Sequence, residues 1–138
     1  MSSTTLSEAR SPGDAAAARV IAPDGRRLIS GSADTTAIIW DVEGRQLAQH
    51  LKGHRDHVYA VAFTPDGARA VTGSYDRTLK LWLVGNGKEM ATLKGHADKV
   101  RSVAVSAVDS SIASGGYEGE IRLWDGRTGR LLSTMAKQ

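Results

Sequence analysis

The three tryptophans of this chain, Trp40, Trp82 and Trp124, stand at one constant interval of forty-two residues. Other landmarks keep that interval. Gly53-His54 returns as Gly95-His96, and Asp34 is followed by Asp76, with Glu118 in the third place. Several landmarks on one period of ~40–45 residues mark a repeat architecture. In such a chain each unit buries its apolar face only against its neighbours, so the period constrains the fold more than any composition.

The unit from Gly53 to Trp82 is the most complete, and its runs alternate with the period of two that a half-buried strand requires. Four strands per unit are predicted, a to d. Strand a is Val58 to Phe63 and Val100 to Val105. In the first unit, Ala16 to Ile21 fall on the same positions and read as a weakened strand. A short alanine-driven helix over Asp14 to Arg19 is the alternative there. Strand b is Arg27 to Ser30, Arg69 to Thr72 and Ser111 to Ser114. Strand c is Ala37 to Val42, Leu79 to Val84 and Ile121 to Asp125. Strand d is Gln46 to Leu51, Glu89 to Leu93 and Leu131 to Met135. Pro23-Asp24-Gly25 and Pro65-Asp66-Gly67 turn a into b, with Pro setting φ and Gly supplying φ > 0. Ala107-Val108-Asp109 breaks that pattern in the third unit. Glu43-Gly44, Gly85-Asn86-Gly87 and Arg127-Thr128-Gly129 are the predicted hairpin turns from c to d.

One polar set in the unit closes on itself. The Trp82 indole donates only, the Thr72 hydroxyl donates and accepts, the His54 imidazole does both, and the Asp76 carboxylate accepts only. A chain from Trp82 through Thr72 and His54 to Asp76 satisfies every group and ties three strands to two loops. With this set, the chain resembles the WD-repeat β-propeller family, whose blades use a His, Ser/Thr, Asp, Trp tetrad. The resemblance covers Ile21 to Met135. It implies an all-β fold, a β-propeller segment of three four-stranded antiparallel blades, over about 15–51, 53–93 and 95–136. A flexible, polar leader over 1–14 precedes this domain of 15–138. Carried over by position, the third blade uses His96, Ser114, Glu118 and Trp124. The first keeps Ser30, Asp34 and Trp40, but Pro12 holds the histidine place and Arg19 falls where Val61 and Val103 sit.

The same residue types invite other readings. Thr72, His54 and Asp76 match a nucleophile, base and orienting acid, but the set recurs in each blade and the indole takes the hydroxyl. His50, His54 and His57 form a local cluster with metal-ligand chemistry, yet His54 is already committed. No metal and no cofactor are expected, and no enzyme. The chain has no cysteine, and its net charge of +3 is spread without a basic run, which argues against a nucleic-acid arm through Lys99, Arg101 and Arg122. No apolar run approaches the ~20 residues of a membrane span, and no signal peptide is legible. A cytoplasmic location is expected.

The family resemblance also implies a binding face, on the rim that carries the turn between strands b and c. The variable positions there are His57, Tyr59, Tyr75, Lys99, Arg101 and Tyr117, with only Ala15, Ala17 and Ala33 in the first blade. All three tyrosines of the chain fall on these positions, beside two cations. Tyr and Arg are enriched among interface hot spots, so a non-catalytic scaffold for a protein or peptide partner, acidic or extended, is the expected function. Ordinary exposed rim residues are the alternative. Three blades fall short of the ~4–8 that close a ring. Two outcomes are expected over a stable monomer: a homo-oligomer, with two copies giving six blades, or completion by further WD repeats.

Overall fold

A computed structural model describes residues 16–135. The predicted leader, with Pro12, and the rim position Ala15 lie outside the described residues. The chain forms twelve strands in three four-stranded sheets, all antiparallel. Blade 1 holds β1 (Ala16–Ile21), β2 (Arg27–Ser32), β3 (Ala37–Asp41) and β4 (Gln46–Leu51). Blade 2 holds β5 (Val58–Phe63), β6 (Arg69–Ser74), β7 (Thr78–Leu83) and β8 (Glu89–Lys94). Blade 3 holds β9 (Val100–Val105), β10 (Ile112–Gly116), β11 (Ile121–Trp124) and β12 (Leu131–Met135). Strands lie in chain order within each sheet. Among the described residues no helix is long and apolar enough to cross a membrane.

The first segment is a strand, not a helix. Its backbone pairs Arg19 with Ser30 and Ile21 with Leu28. The second strand of each blade runs two residues beyond the predicted end. Gly31-Ser32, Gly73-Ser74 and Gly115-Gly116 read as turn residues, yet they continue the ladder by pairing with the start of the first strand across a bulge. The first turn of blade 3, without Pro-Asp-Gly, puts Ser110 in the left-handed region at φ 63. Between the third and fourth strands, the left-handed residue of blade 1 is Arg45 rather than Gly44. Gly87 and Gly129 hold that place in the other blades.

The core lies between blades. Ile29, Ile39 and Leu51 of blade 1 pack with Val58, Val61, Phe63 and Trp82 of blade 2. Val71, Leu79, Leu81 and Leu93 of blade 2 pack in turn with Val100, Ile112 and Trp124 of blade 3. Each such aliphatic side chain contributes about 1.5–3 kcal/mol when fully buried. Glycine permits the close approach. A Cβ on Gly31 would meet the Val58 carbonyl oxygen at 2.7 Å, and one on Gly73 would meet Val100 Cγ1 at 2.8 Å.

The three blades do not close. Leu79 and Leu93 are 0% and 1% exposed under blade 3, while Ile121 and Met135, at the same places on blade 3, are 43% and 48% exposed. At the other flank Ile21 is 62% exposed where Phe63 is 7%.

Candidate functional site

Two kinds of polar constellation repeat from blade to blade, one buried and one on the rim. In blade 2 the buried set is complete. Trp82 Nε1 donates to Thr72 Oγ1 at 2.9 Å, Thr72 Oγ1 stands 2.7 Å from His54 Nε2, and His54 Nδ1 stands 2.8 Å from Asp76 Oδ2. One proton arrangement satisfies the whole chain: the hydroxyl donates to Nε2, so Nδ1–H donates to the carboxylate. Asp76 is also held by Arg55 N–H at 3.0 Å and by the Thr78 hydroxyl at 2.6 Å. Burial alone would raise its pKa. The hydrogen bonds from His54, Thr78 and the Arg55 N–H outweigh that and hold the carboxyl well below the usual range.

Blade 3 builds the same chain with a different acid. Trp124 Nε1 donates to Ser114 Oγ at 2.8 Å, and Ser114 Oγ lies 2.6 Å from His96 Nε2. His96 Nδ1 then meets Glu120 Oε1 at 2.8 Å, which also accepts the Ala97 N–H at 3.0 Å. Glu118, the residue at the Asp76 position, is exposed instead. The correction has a steric reason. Glu120 stands where blade 2 has Thr78, whose hydroxyl is already 3.5 Å from His54 Nδ1. From there a glutamate's two methylenes carry the carboxylate to the imidazole, and Arg122 Nη2 steadies its other oxygen at 3.4 Å. In blade 1, Trp40 Nε1 donates to Ser30 Oγ at 3.0 Å, while Asp34 accepts from Thr36 N and Oγ1.

The hydroxyl at the centre of the blade 2 set is closed to solvent. Thr72 is 0% exposed and its hydroxyl is fully committed to Trp82 and His54. Among the described residues no three His, Cys, Asp or Glu converge as a metal requires.

The rim set arises from the bulges. In β5 the pairing passes from Val58 to Ala60, and in β9 from Val100 to Ser102, leaving Tyr59 and Arg101 as the extra residues. A bulge re-aims the side chain it carries. The turns place Tyr75 and Tyr117 beside them, through Tyr75 N–H to His57 O at 2.9 Å and Tyr117 N–H to Lys99 O at 2.8 Å. The result is a closed cycle across two blades. Tyr59 stacks on Tyr75 at 5.0 Å between ring centres. Lys99 Nζ lies 5.1 Å from the Tyr75 centre and 5.5 Å from that of Tyr117. Arg101 Cζ lies 5.1 Å from Tyr117 and 5.8 Å from Tyr59. His57 stacks on Tyr75 from outside the cycle at 5.5 Å. All six predicted rim residues of blades 2 and 3 thus meet in one patch. In blade 1, Ala33 is exposed and contributes no polar group.

Sequence reasoning missed Glu120, Thr78, and the Lys80–Glu89 ion pair of 2.9 Å beside Thr92. A glutamate two residues after the expected acid was the one legible hint.

A family model described as "WD domain, G-beta repeat" matches residues 15–41, 45–82 and 87–125. The matched segments run out of step with the sheets. The second begins at Arg45, just before β4 of blade 1, and ends at Trp82 in β7 of blade 2. The third likewise begins before β8 of blade 2 and ends just past β11 of blade 3, so these two repeats hook one blade to the next. Similar solved structures include "Structure of U3-55K" and "Crystal structure of RRP9 WD40 repeats". Each is 21% identical with a TM-score of 0.87, and each alignment covers 93% of this chain. Only 41% and 40% of those chains are covered, so this chain spans about two fifths of their length. No curated protein matches the sequence.

Proposed function

This chain belongs to the WD-repeat family, and we propose that it is a non-catalytic scaffold that takes a protein or peptide partner on the rim of blades 2 and 3. The single observation that carries this reading is the closed cycle of Tyr59, Tyr75, Lys99, Tyr117 and Arg101. Stacked rings and sandwiched cations lose little further freedom on binding, and preorganised aromatic and Arg side chains supply most interface energy. The rival reading as an enzyme finds no free nucleophile in the tetrads, whose Thr72 and Ser114 hydroxyls are buried and hydrogen-bonded to indole and imidazole.

The uncovered flanks bear on assembly. We propose that further WD repeats cover them, in preference to a second copy. The similar solved structures are more than twice as long as this chain. A head-to-tail copy would also press Arg19 of blade 1, at the Val61 position, against the flank of blade 3, where Ile121, Leu123 and Met135 offer no acid. An unpaired buried charge costs more than that contact returns.

The test replaces Tyr75, Arg101 and Tyr117 together by alanine. The fold should persist, as read by the three indole N–H signals, and partners captured from lysate by the native chain should be lost. Unchanged capture would refute the assignment of the rim.

A further inference from the structure

The rim cycle is rich in donors and has no acid of its own. Lys99 and Arg101 are exposed, and among the described residues no carboxylate lies within ion-pair distance of either. By contrast, Lys80 and Arg122, on the third strands of blades 2 and 3, are paired with Glu89 and Glu120. Tyr59 and Tyr117 bracket the Arg101 guanidinium. Rings against a guanidinium leave its edge for ligands, and that edge is a planar fork of N–H donors suited to two oxygens at once. Lys99 adds a second full charge beside the same Tyr117 ring. The Tyr75 phenol is pushed above its usual pKa, first by burial and then by Tyr59, so it remains protonated at neutral pH.

Two cations flank the one Tyr117 ring, and together they carry more charge than a single carboxylate neutralises. A phosphate ester brings about −1.5 to −2 charge at neutral pH and three acceptor oxygens. We infer that the Lys99–Tyr117–Arg101 side of the cycle receives a phosphorylated serine or threonine on the partner's segment. This rests on the rim being the docking face and names the chemistry that it selects. A nucleic-acid phosphate fits less well. Single-stranded nucleic acid needs open aromatic faces for its bases, and here each ring already has at least two neighbours from within the cycle or from His57.

The test measures binding of the full chain to fluorescent degenerate heptapeptide pools that share a fixed central residue. Phosphothreonine, glutamate and threonine pools are compared with a short oligothymidine. The phosphothreonine pool should bind about tenfold or more tightly than the glutamate pool, because the second charge is recognised. Arg101→Gln should remove about tenfold or more of that affinity, Lys99→Gln less, and Arg127→Gln, on a distant hairpin turn, none. Equal binding of the glutamate pool overturns the phosphate while leaving the rim as docking face. So does failure of every pool if the triple alanine variant still loses its captured partners. Tighter binding of oligothymidine, or indifference to Arg101→Gln, overturns the inference in favour of another ligand or another surface.

Discussion

Glu120 reaches His96 across the turn of blade 3, its Oε1 2.8 Å from Nδ1, and so fills the role that Asp76 plays for His54 in blade 2. Two glutamates within three residues therefore have unequal weight. A hydrogen bond ending on a charged group contributes about 1.5–3 kcal/mol, whereas an exposed side chain without such a role changes stability by within about 0.5 kcal/mol. Glu120→Gln should lower the urea midpoint clearly and Glu118→Gln should not. Equal effects would return the acid to the Asp76 register.

The hydroxyl at the centre of each tetrad should matter in proportion to the partners it serves. Thr72→Val leaves the Trp82 N–H and the His54 Nε2 both buried without a partner, at about 1–3 kcal/mol each. Ser30→Ala in blade 1 abandons the Trp40 N–H in a half-buried site, a smaller loss. Urea unfolding of the two variants compares them directly, and a larger loss for Ser30→Ala would contradict the network.

How much of this was legible in the sequence differs between the buried and the exposed sets. The indole–hydroxyl–imidazole chain follows from residue type and period, because a ladder register places Thr72 and Trp82 near each other on one face. The acid of blade 3 did not follow, since period alone aligned Glu118 with Asp76 and ignored that a longer side chain is best placed further from its target. Strand ends were misread at Gly73-Ser74 because glycine and serine signal a turn locally. What they serve here is a close approach to Val100 and a ladder that continues past a bulge. The rim positions were legible one by one. Their joining into a cycle was not, since Lys99 over Tyr75 and Arg101 over Tyr59 are contacts between blades.

The inter-blade glycines give a test of packing. A Cβ at Gly73 would lie 2.8 Å from Val100 Cγ1, a side-chain atom, so Gly73→Ala should cost about 1–3 kcal/mol by overpacking. Val100→Ala in the same chain should recover part of that loss. Gly31→Ala meets the carbonyl oxygen of Val58 at 2.7 Å, and no side-chain truncation at Val58 removes backbone. Rescue at both glycines alike would show that the blades shift rather than clash.

Acid should weaken the fold in two stages. Burial lowers the His96 pKa below its ordinary 6.5, outweighing the pull of Glu120 in the other direction. The unfolded chain then binds more protons, so this contribution is full above pH 6.5 and is lost as the pH falls through the folded value. The pKa values of Asp76 and Glu120 are also depressed, the first by His54, Thr78 and Arg55 against the effect of burial, the second chiefly by the Ala97 N–H. Their contribution is full above the ordinary carboxylate range of about 4 and is lost below it. Urea midpoints should therefore decline first between pH 7 and 5, as read on the native chain, and again toward pH 3. His96→Asn should flatten the first decline. A native midpoint constant down to pH 5 would rule out the buried neutral imidazole.

Site-specific photocrosslinking tests the rim most directly. A photoreactive phenylalanine analogue is placed at Tyr117, which is 54% exposed in the cycle, and separately at Val108, 94% exposed on the turn at the opposite end of blade 3. Crosslinked partner should appear from Tyr117 and be absent from Val108. The reverse pattern, or equal yield from both ends, would contradict the assignment of the aromatic and cationic cycle as the docking face.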